Sequence, residues 1–212
     1  MSYATSLSQD FLLELGQLSA TDVAALRPSF DNLPASPYAD GAFRLRRYSH
    51  FLCNGSQLTQ LPTKSFMQDA SINQFQGNVE RVYPEIEADL VSSRAFFEMF
   101  LQFKHIASIP HNTPIEVHQM RIFAQQGATD TAPEGIHQDG FDRLAVFALH
   151  RENITGGNIR VHQGKNSDAF VNHCFDNGEF VVINDQRFFH SADPIVPINA
   201  GSGFMDVFVL TA

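Results

Sequence analysis

His137, Asp139 and, further along the chain, His190 are the residues whose types and spacing could do chemistry. On an extended strand, side chains two apart share a face, so the step His137-Gln138-Asp139 aims an imidazole and a carboxylate at one point. A histidine from a later strand would complete two nitrogens and one carboxylate on one side of a metal ion. The opposite positions then stay open for O2 and an electron-donating co-substrate, the arrangement associated with non-haem Fe(II) chemistry. Pro133 and Gly135 turn the chain before His137, and Gly140 releases it after Asp139. His190 follows the apolar run Phe180-Val181-Val182-Ile183 and the turn-like Asn184-Asp185. The triplet alone is a weak signal in a chain with nine histidines, where hydrogen-bonded loop histidines would show the same spacing. His118, His150, His162 and His173 have no such partner and read as non-ligands.

The elements that must position these groups are legible in outline. Residues Ser8 to Leu15 predict a short amphipathic helix ending near Gly16. Thr21 to Arg27 predicts a second, stopped by Pro28. A turn-rich segment from Asp31 to Gly41 leads to a strand over Phe43 to Leu52. Ile86, Leu90, Phe97, Phe100, Leu101 and Ile106 recur mostly at helical spacing, predicting one long helix from Glu85 to about Ala107. From Ile115 onward, short strand-like runs alternate with Gly, Asn, Asp and Pro. Helices first and strands after, without β-α alternation, predict an α+β chain, mainly β, whose core is buttressed by N-terminal and central helices.

At 212 residues a single domain over 1–212 is expected, with no repeat or linker. Twenty Phe and no Trp predict a core or pocket filled by phenyl rings. A formal charge of −9 argues against nucleic acid as a partner. Cys53 and Cys174 form no CxxC and read as a pair of buried thiols, which suits a reducing cytoplasm. No apolar run approaches the ~20 residues of a membrane span, and residues 1–5 lack the features of a leader.

The stretch Thr131-Ala132-Pro133-Glu134-Gly135-Ile136-His137-Gln138-Asp139-Gly140 resembles the iron-binding signature of a bacterial 2-oxoglutarate/Fe(II) dioxygenase family, that of the L-isoleucine dioxygenases and related free amino-acid hydroxylases. Further similar stretches follow the same order. They are Phe43 to Tyr48, His118 to Ile122, Arg151-Glu152-Asn153-Ile154-Thr155-Gly156-Gly157, and Asn184 to His190 running on to Pro194-Ile195. The resemblance covers the chain from about residue 28 to its end. It implies a double-stranded β-helix of jelly-roll, cupin-like type, with Fe(II) on His137, Asp139 and His190. It also implies 2-oxoglutarate as co-substrate, O2, and hydroxylation of a small substrate such as a free L-amino acid.

The family's last core strand carries an Arg that pairs with the far carboxylate of 2-oxoglutarate, and Met205 stands in its place here. A thioether cannot form that ion pair. Arg160 is the first candidate to replace it. Arg121, with Gln119 on the same face, is the candidate clamp for a co-substrate or substrate carboxylate, against an edge-strand Arg in solvent. Phe141, Phe188 and Phe189 could supply dry walls, with Phe141 nearest substrate. Glu134 and Asn153 are candidates to brace the iron loop and the following turn. Arg187 reads as a brace for Asp185 or Glu179. Two of Arg44, Arg46 and Arg47 read as solvated, with one available to a substrate carboxylate. Two alternatives stay open: an Fe(II) oxygenase that does not use 2-oxoglutarate, and a non-catalytic metal- or ligand-binding descendant.

Overall fold

A computed structural model describes residues 10, 12–70, 76–124 and 127–212. Twelve strands and three α-helices are named in chain order: β1 Leu13–Gln17, α1 Ala20–Leu26, β2 Arg44–Asn54, β3 Gln57–Gln60, α2 Ala88–Val91, α3 Arg94–Ala107, β4 Ile115–Ala124, β5 Arg143–Glu152, β6 Ile154–Gly156, β7 Ile159–His162, β8 Ala169–His173, β9 Glu179–Asn184, β10 Phe189–Ala192, β11 Ile195–Pro197 and β12 Gly203–Thr211. Seven strands form one sheet in the order β1-β9-β5-β12-β4-β2-β3, with every neighbouring pair antiparallel. Facing it are a three-stranded sheet, β10-β7-β8, and the pair β11-β6. The architecture is the expected double-stranded β-helix, mainly β.

Period-two alternation gives the large sheet two different faces. On β12, Phe208 and Leu210 enter a core with Phe96, Phe100 and Phe103 of α3, while Met205, Val207, Val209 and Thr211 line a pocket on the opposite face. The helix-side core holds Phe30, Phe51, Phe147 and Phe180 as well. Its rings meet edge to face, as in Phe51 against Phe100 at 5.3 Å and Phe30 against Phe208 at 4.9 Å. Among the described residues, nine of the chain's twenty Phe thus belong to this helix-to-sheet contact.

Two elements depart from expectation. The anticipated first helix falls partly on residues outside those described, and Leu13–Gln17 is strand β1, paired with β9 from Leu13↔Ile183 to Gln17↔Glu179. Gly16 permits this close pairing, because a Cβ there would lie 2.3 Å from the Phe180 ring. The long helix is broken: Ser92 ends α2, and the Ser93 hydroxyl caps α3 by accepting from the Phe96 N–H at 3.2 Å. The strand expected over Phe43 to Leu52 is present, at Arg44–Asn54. The second helix occurs as expected, at Ala20–Leu26. Cys53 is buried but Cys174 is exposed, and both are free, so the pair of buried thiols is not formed. Among the described residues, no helix is long and apolar enough to cross a membrane.

Candidate active site

His137 and His190 are brought together by a two-bond bridge, His137 N–H to the His190 carbonyl at 2.9 Å and the reverse at 2.8 Å. Their rings lie 4.3 Å apart between centroids. Each Nε2 faces the carboxylate of Asp139, at 3.6 Å from Oδ1 for His137 and 3.6 Å from Oδ2 for His190. The three donor atoms all fall within 4.8 Å of one another, as a single cation requires. The donor set also fits in its outer contacts. His137 Nδ1 donates to the Gly135 carbonyl at 2.8 Å, which leaves Nε2 to point inward. Burial opposes charge on His137, but the hydrogen bond and charge of Asp139 outweigh it and raise its pKa to about 9. Burial likewise works against the Asp139 carboxylate, yet the neighbouring histidines hold its pKa below the usual range.

Asp185 holds this arrangement from behind. It is fully buried, and its Oδ2 accepts from the backbone N–H groups of Asp139, Gly140 and Phe141 at 2.8, 3.0 and 3.3 Å. Its Oδ1 faces His190 Nδ1 at 3.4 Å. One carboxylate therefore fixes the loop carrying Asp139 and faces the ring of His190. Sequence reasoning passed over Asp185 as a turn residue, since nothing in its local pattern separates a turn-former from a brace reaching 46 positions back.

The three residues open onto a cavity of about 170 Å3. Its floor is formed by cross-strand rows of the large sheet, whose opposed residues share a face. One row runs Arg44, Ile122, Met205, Arg151 across β2, β4, β12 and β5. The next runs Arg46, Met120, Val207, Ala148. Position 205 thus faces the pocket, as the alignment with the family's Arg implied. Arg151 joins this row because a bulge between Asp206 and Val207 in the pairing with β5 shifts the alternation, turning His150 outward. Its Nη2 donates to the Gly156 carbonyl at 2.6 Å, and its Nη1 is buried without a hydrogen-bond partner. A Cβ at Gly157, whose φ is +68°, would lie 3.2 Å from that Nη1 and 3.4 Å from Met205 Sδ. The guanidinium and the thioether therefore sit side by side at the pocket wall.

Several expected site residues lie elsewhere. Arg121 points to the opposite face of β4, where Nε and Nη2 bind Asp206 at 2.6 and 2.8 Å and the guanidinium stacks 4.2 Å over Phe204. Gln119 shares that face and donates to the Ser29 hydroxyl at 2.8 Å. Alternation put the two together correctly, but the even-numbered His118, Met120 and Ile122 face the pocket instead. Arg160 is committed to Asp193 at 2.6 Å near the surface. Arg187 stacks 5.4 Å from the Phe188 ring, and Phe188 packs in a core beside the pocket. Asn153 braces a distant turn at Asn199. Phe141 and Glu134 do line the pocket.

The largest correction concerns the arginines near residue 45. Arg44 and Arg46 are buried, not solvated, and line the pocket with a third guanidinium, Arg81, that sequence reasoning did not single out. Only Arg47 turns the other way, to Glu87 at 2.7 Å. Asp40, fully buried, binds Arg44 at 3.1 Å and Arg46 at 3.3 Å. Burial and the charge of Arg46 lower the Arg44 pKa to about 10, which still leaves it charged at neutral pH. Beside them His118 is held well below its ordinary pKa by burial and by the charge of Arg46, so it is a neutral ring against Tyr48 and Phe66.

A β-helix with two histidines and a carboxylate around one point defines a class of mononuclear metal enzymes. Residues 27–211 match the family model for 2OG-Fe dioxygenases, and the chain belongs to that family. Its cofactors are accordingly Fe(II) and 2-oxoglutarate. No curated protein sequence matches the chain significantly. Among solved structures, a bsmA homolog from Methylobium petroleophilum is similar over 92% of this chain and 81% of its own, with a TM-score of 0.78 and 22% identity. IDO from Bacillus thuringiensis is similar over 97% and 95%, with a TM-score of 0.79 and 13% identity. The Fe(II)/(alpha)ketoglutarate-dependent dioxygenase TqaL is similar over 97% and 83%, with a TM-score of 0.67 and 16% identity. At such identities these likenesses define the fold alone.

Proposed function

We propose that the chain hydroxylates a small substrate, a free L-amino acid, with His137, Asp139 and His190 as the iron ligands. The observation that carries this reading is the convergence of those three donors within 4.8 Å on the wall of a pocket. With iron, the keto acid and O2 bound, the group supplies an oxidant for an unreactive C–H bond, and the keto acid leaves as succinate and CO2. The protein's part is to hold the ligands on one side and keep the other open. Asp185 fixes the loop of Asp139 and lies beside the ring of His190. Phe141, Ile159, Phe175 and Val207 line the cavity with apolar surface that excludes water.

Arg151 is the residue we assign to the far carboxylate of 2-oxoglutarate. Its orphaned Nη1 beside Met205 supports this, because a buried guanidinium N–H without an acceptor is costly and an anion would satisfy it. A cation on β5 does here what an Arg at position 205 would do. That removes the motive for a reading without 2-oxoglutarate, which rested on Met205 alone. The test is succinate release from the Fe(II)-loaded chain across a panel of free L-amino acids, with mass spectrometry for a gain of one oxygen. Stoichiometric succinate and hydroxylated amino acid are expected. No turnover with any amino acid would leave the non-catalytic alternative in its place.

A further inference from the structure

The guanidiniums of Arg44, Arg46 and Arg81 form a second anion site, distinct from that beside Met205, and we propose that it binds the carboxylate of the substrate. This deepens the reading above and rests on it for the identity of the occupant. Within the described residues, the terminal guanidinium nitrogens that are buried without a hydrogen-bond partner belong to two side chains, Arg81 through Nη2 and Arg151 through Nη1. Both lie at the pocket, Arg81 in its lining and Arg151 against Gly157 and Met205, which line it. Arg81 is only 2% exposed, and its Nε also lacks a partner. The Nε atoms of Arg44 and Arg46 are in the same condition.

The cluster is built rather than incidental. Arg81 is fixed by a two-bond bridge to Phe66, with N–O distances of 2.9 and 2.8 Å, and stacks 4.8 Å over the Phe66 ring. Arg46 stacks 5.0 Å over Tyr83 and donates to its hydroxyl at 3.2 Å. Arg44 donates to the Thr131 carbonyl at 2.8 Å, in the segment that leads to His137. Asp40, itself outside the pocket lining, binds Arg44 and Arg46 and steadies both forks, while the terminal nitrogen without a partner is that of Arg81. Glu134 adds a carboxylate to the same wall. Aromatic faces and a single buried acid thus hold three guanidiniums together. Planar forks of this kind match a carboxylate in two-point contact.

The two ends of the pocket floor are set apart by the sheet itself. Arg44 and Arg151 are the outer members of one row spanning four strands, a separation of about 14 Å between backbones at ~4.8 Å per strand. Two anions can be held at once, one at each end, with the metal ligands opening between sheet and cover. Substrates would be small monocarboxylates with an apolar body, the amino-acid class among them.

The experiment is calorimetric titration of the full chain, loaded with Fe(II) and 2-oxoglutarate without O2, using acetate, butyrate and 4-methylpentanoate, with 4-methylpentanamide as the uncharged control. The same series is run on the metal-free chain, so that loss of the iron reading and loss of this site are separable. At least one acid should bind, tenfold or more tightly than the amide. Arg81→Gln should weaken it at least tenfold while the affinity for 2-oxoglutarate changes less than twofold. Arg46→Lys, which keeps charge but not the fork, should give a smaller loss. Equal binding of acid and amide, or no acid bound by the wild-type chain, overturns the proposal without any variant. So does a variant Arg81→Gln that binds the acid normally and 2-oxoglutarate poorly, which would make this the co-substrate's site.

Discussion

At the scale of single residues, the site separates into what spacing reveals and what only folding reveals. The H-x-D step was readable because both side chains lie on one extended segment, and His190 because the family motif carries it. Asp185, Arg81 and Arg151 were not, since each acts across a gap that no local period encodes. Asp185 leads to a direct prediction: Asp185→Asn should weaken metal affinity by about 10- to 100-fold, because an amide cannot accept equally well from three N–H groups while facing His190. Metal titration by calorimetry reads this, and unchanged affinity would exclude Asp185 as a brace. His137 gives another. Its raised pKa of about 9, against an ordinary 6.5, means that below pH 9 a metal must displace a proton. Affinity should therefore climb by up to about tenfold per unit between pH 7 and 9 and then level off. The same shift stabilises the metal-free chain fully below 6.5, and that contribution is lost as pH rises through about 9.

At the scale of elements, alternation was a sound guide wherever strands stayed regular. It grouped Gln119 with Arg121 and failed only to say which face met the helices. The reason is that β4 is buried on both faces, so burial alone gives no direction. On β5 the bulge opposite Asp206 and Val207 changes the phase, which is why Arg151 and not His150 shares the face of Met205. The helix over Glu85 to Ala107 was read as continuous because apolar spacing survives the break, whereas Ser93 marks a new start through its cap. Ser93→Ala should cost about 1 kcal/mol in chemical denaturation. Phe100→Ala, at the centre of the helix-to-sheet core, should cost about 3–5 kcal/mol with no change in the pocket's metal affinity per folded molecule. A cost below 1 kcal/mol at Phe100 would mean that α3 does not support the sheet as described.

At the scale of the whole molecule, one large sheet does two jobs. Its helix face is sealed by phenyl rings, and its other face carries the cavity, so stability and chemistry are drawn from opposite sides of the same strands. Family membership over residues 27–211 was legible from ordered motifs long before any strand could be paired. The three cations at the far wall were not, because burying Arg44 and Arg46 depends on Asp40 and on contacts with Thr131 and Tyr83, all distant in sequence or outside any local period. Because the core does not depend on the metal, removing it should leave the fold intact. Saturating ligand at about 100 times its dissociation constant should add about 2.7 kcal/mol to stability, seen as a rise in Tm that Asp139→Ala abolishes.

The central claim, that His137, Asp139 and His190 hold an iron to which 2-oxoglutarate chelates, is tested most directly by anaerobic optical titration of the Fe(II)-loaded chain with the keto acid. A saturable metal-to-ligand charge-transfer band is predicted for the wild-type chain, with none for Asp139→Ala. A wild-type chain without that band, or a variant that keeps it at full intensity, would contradict the account.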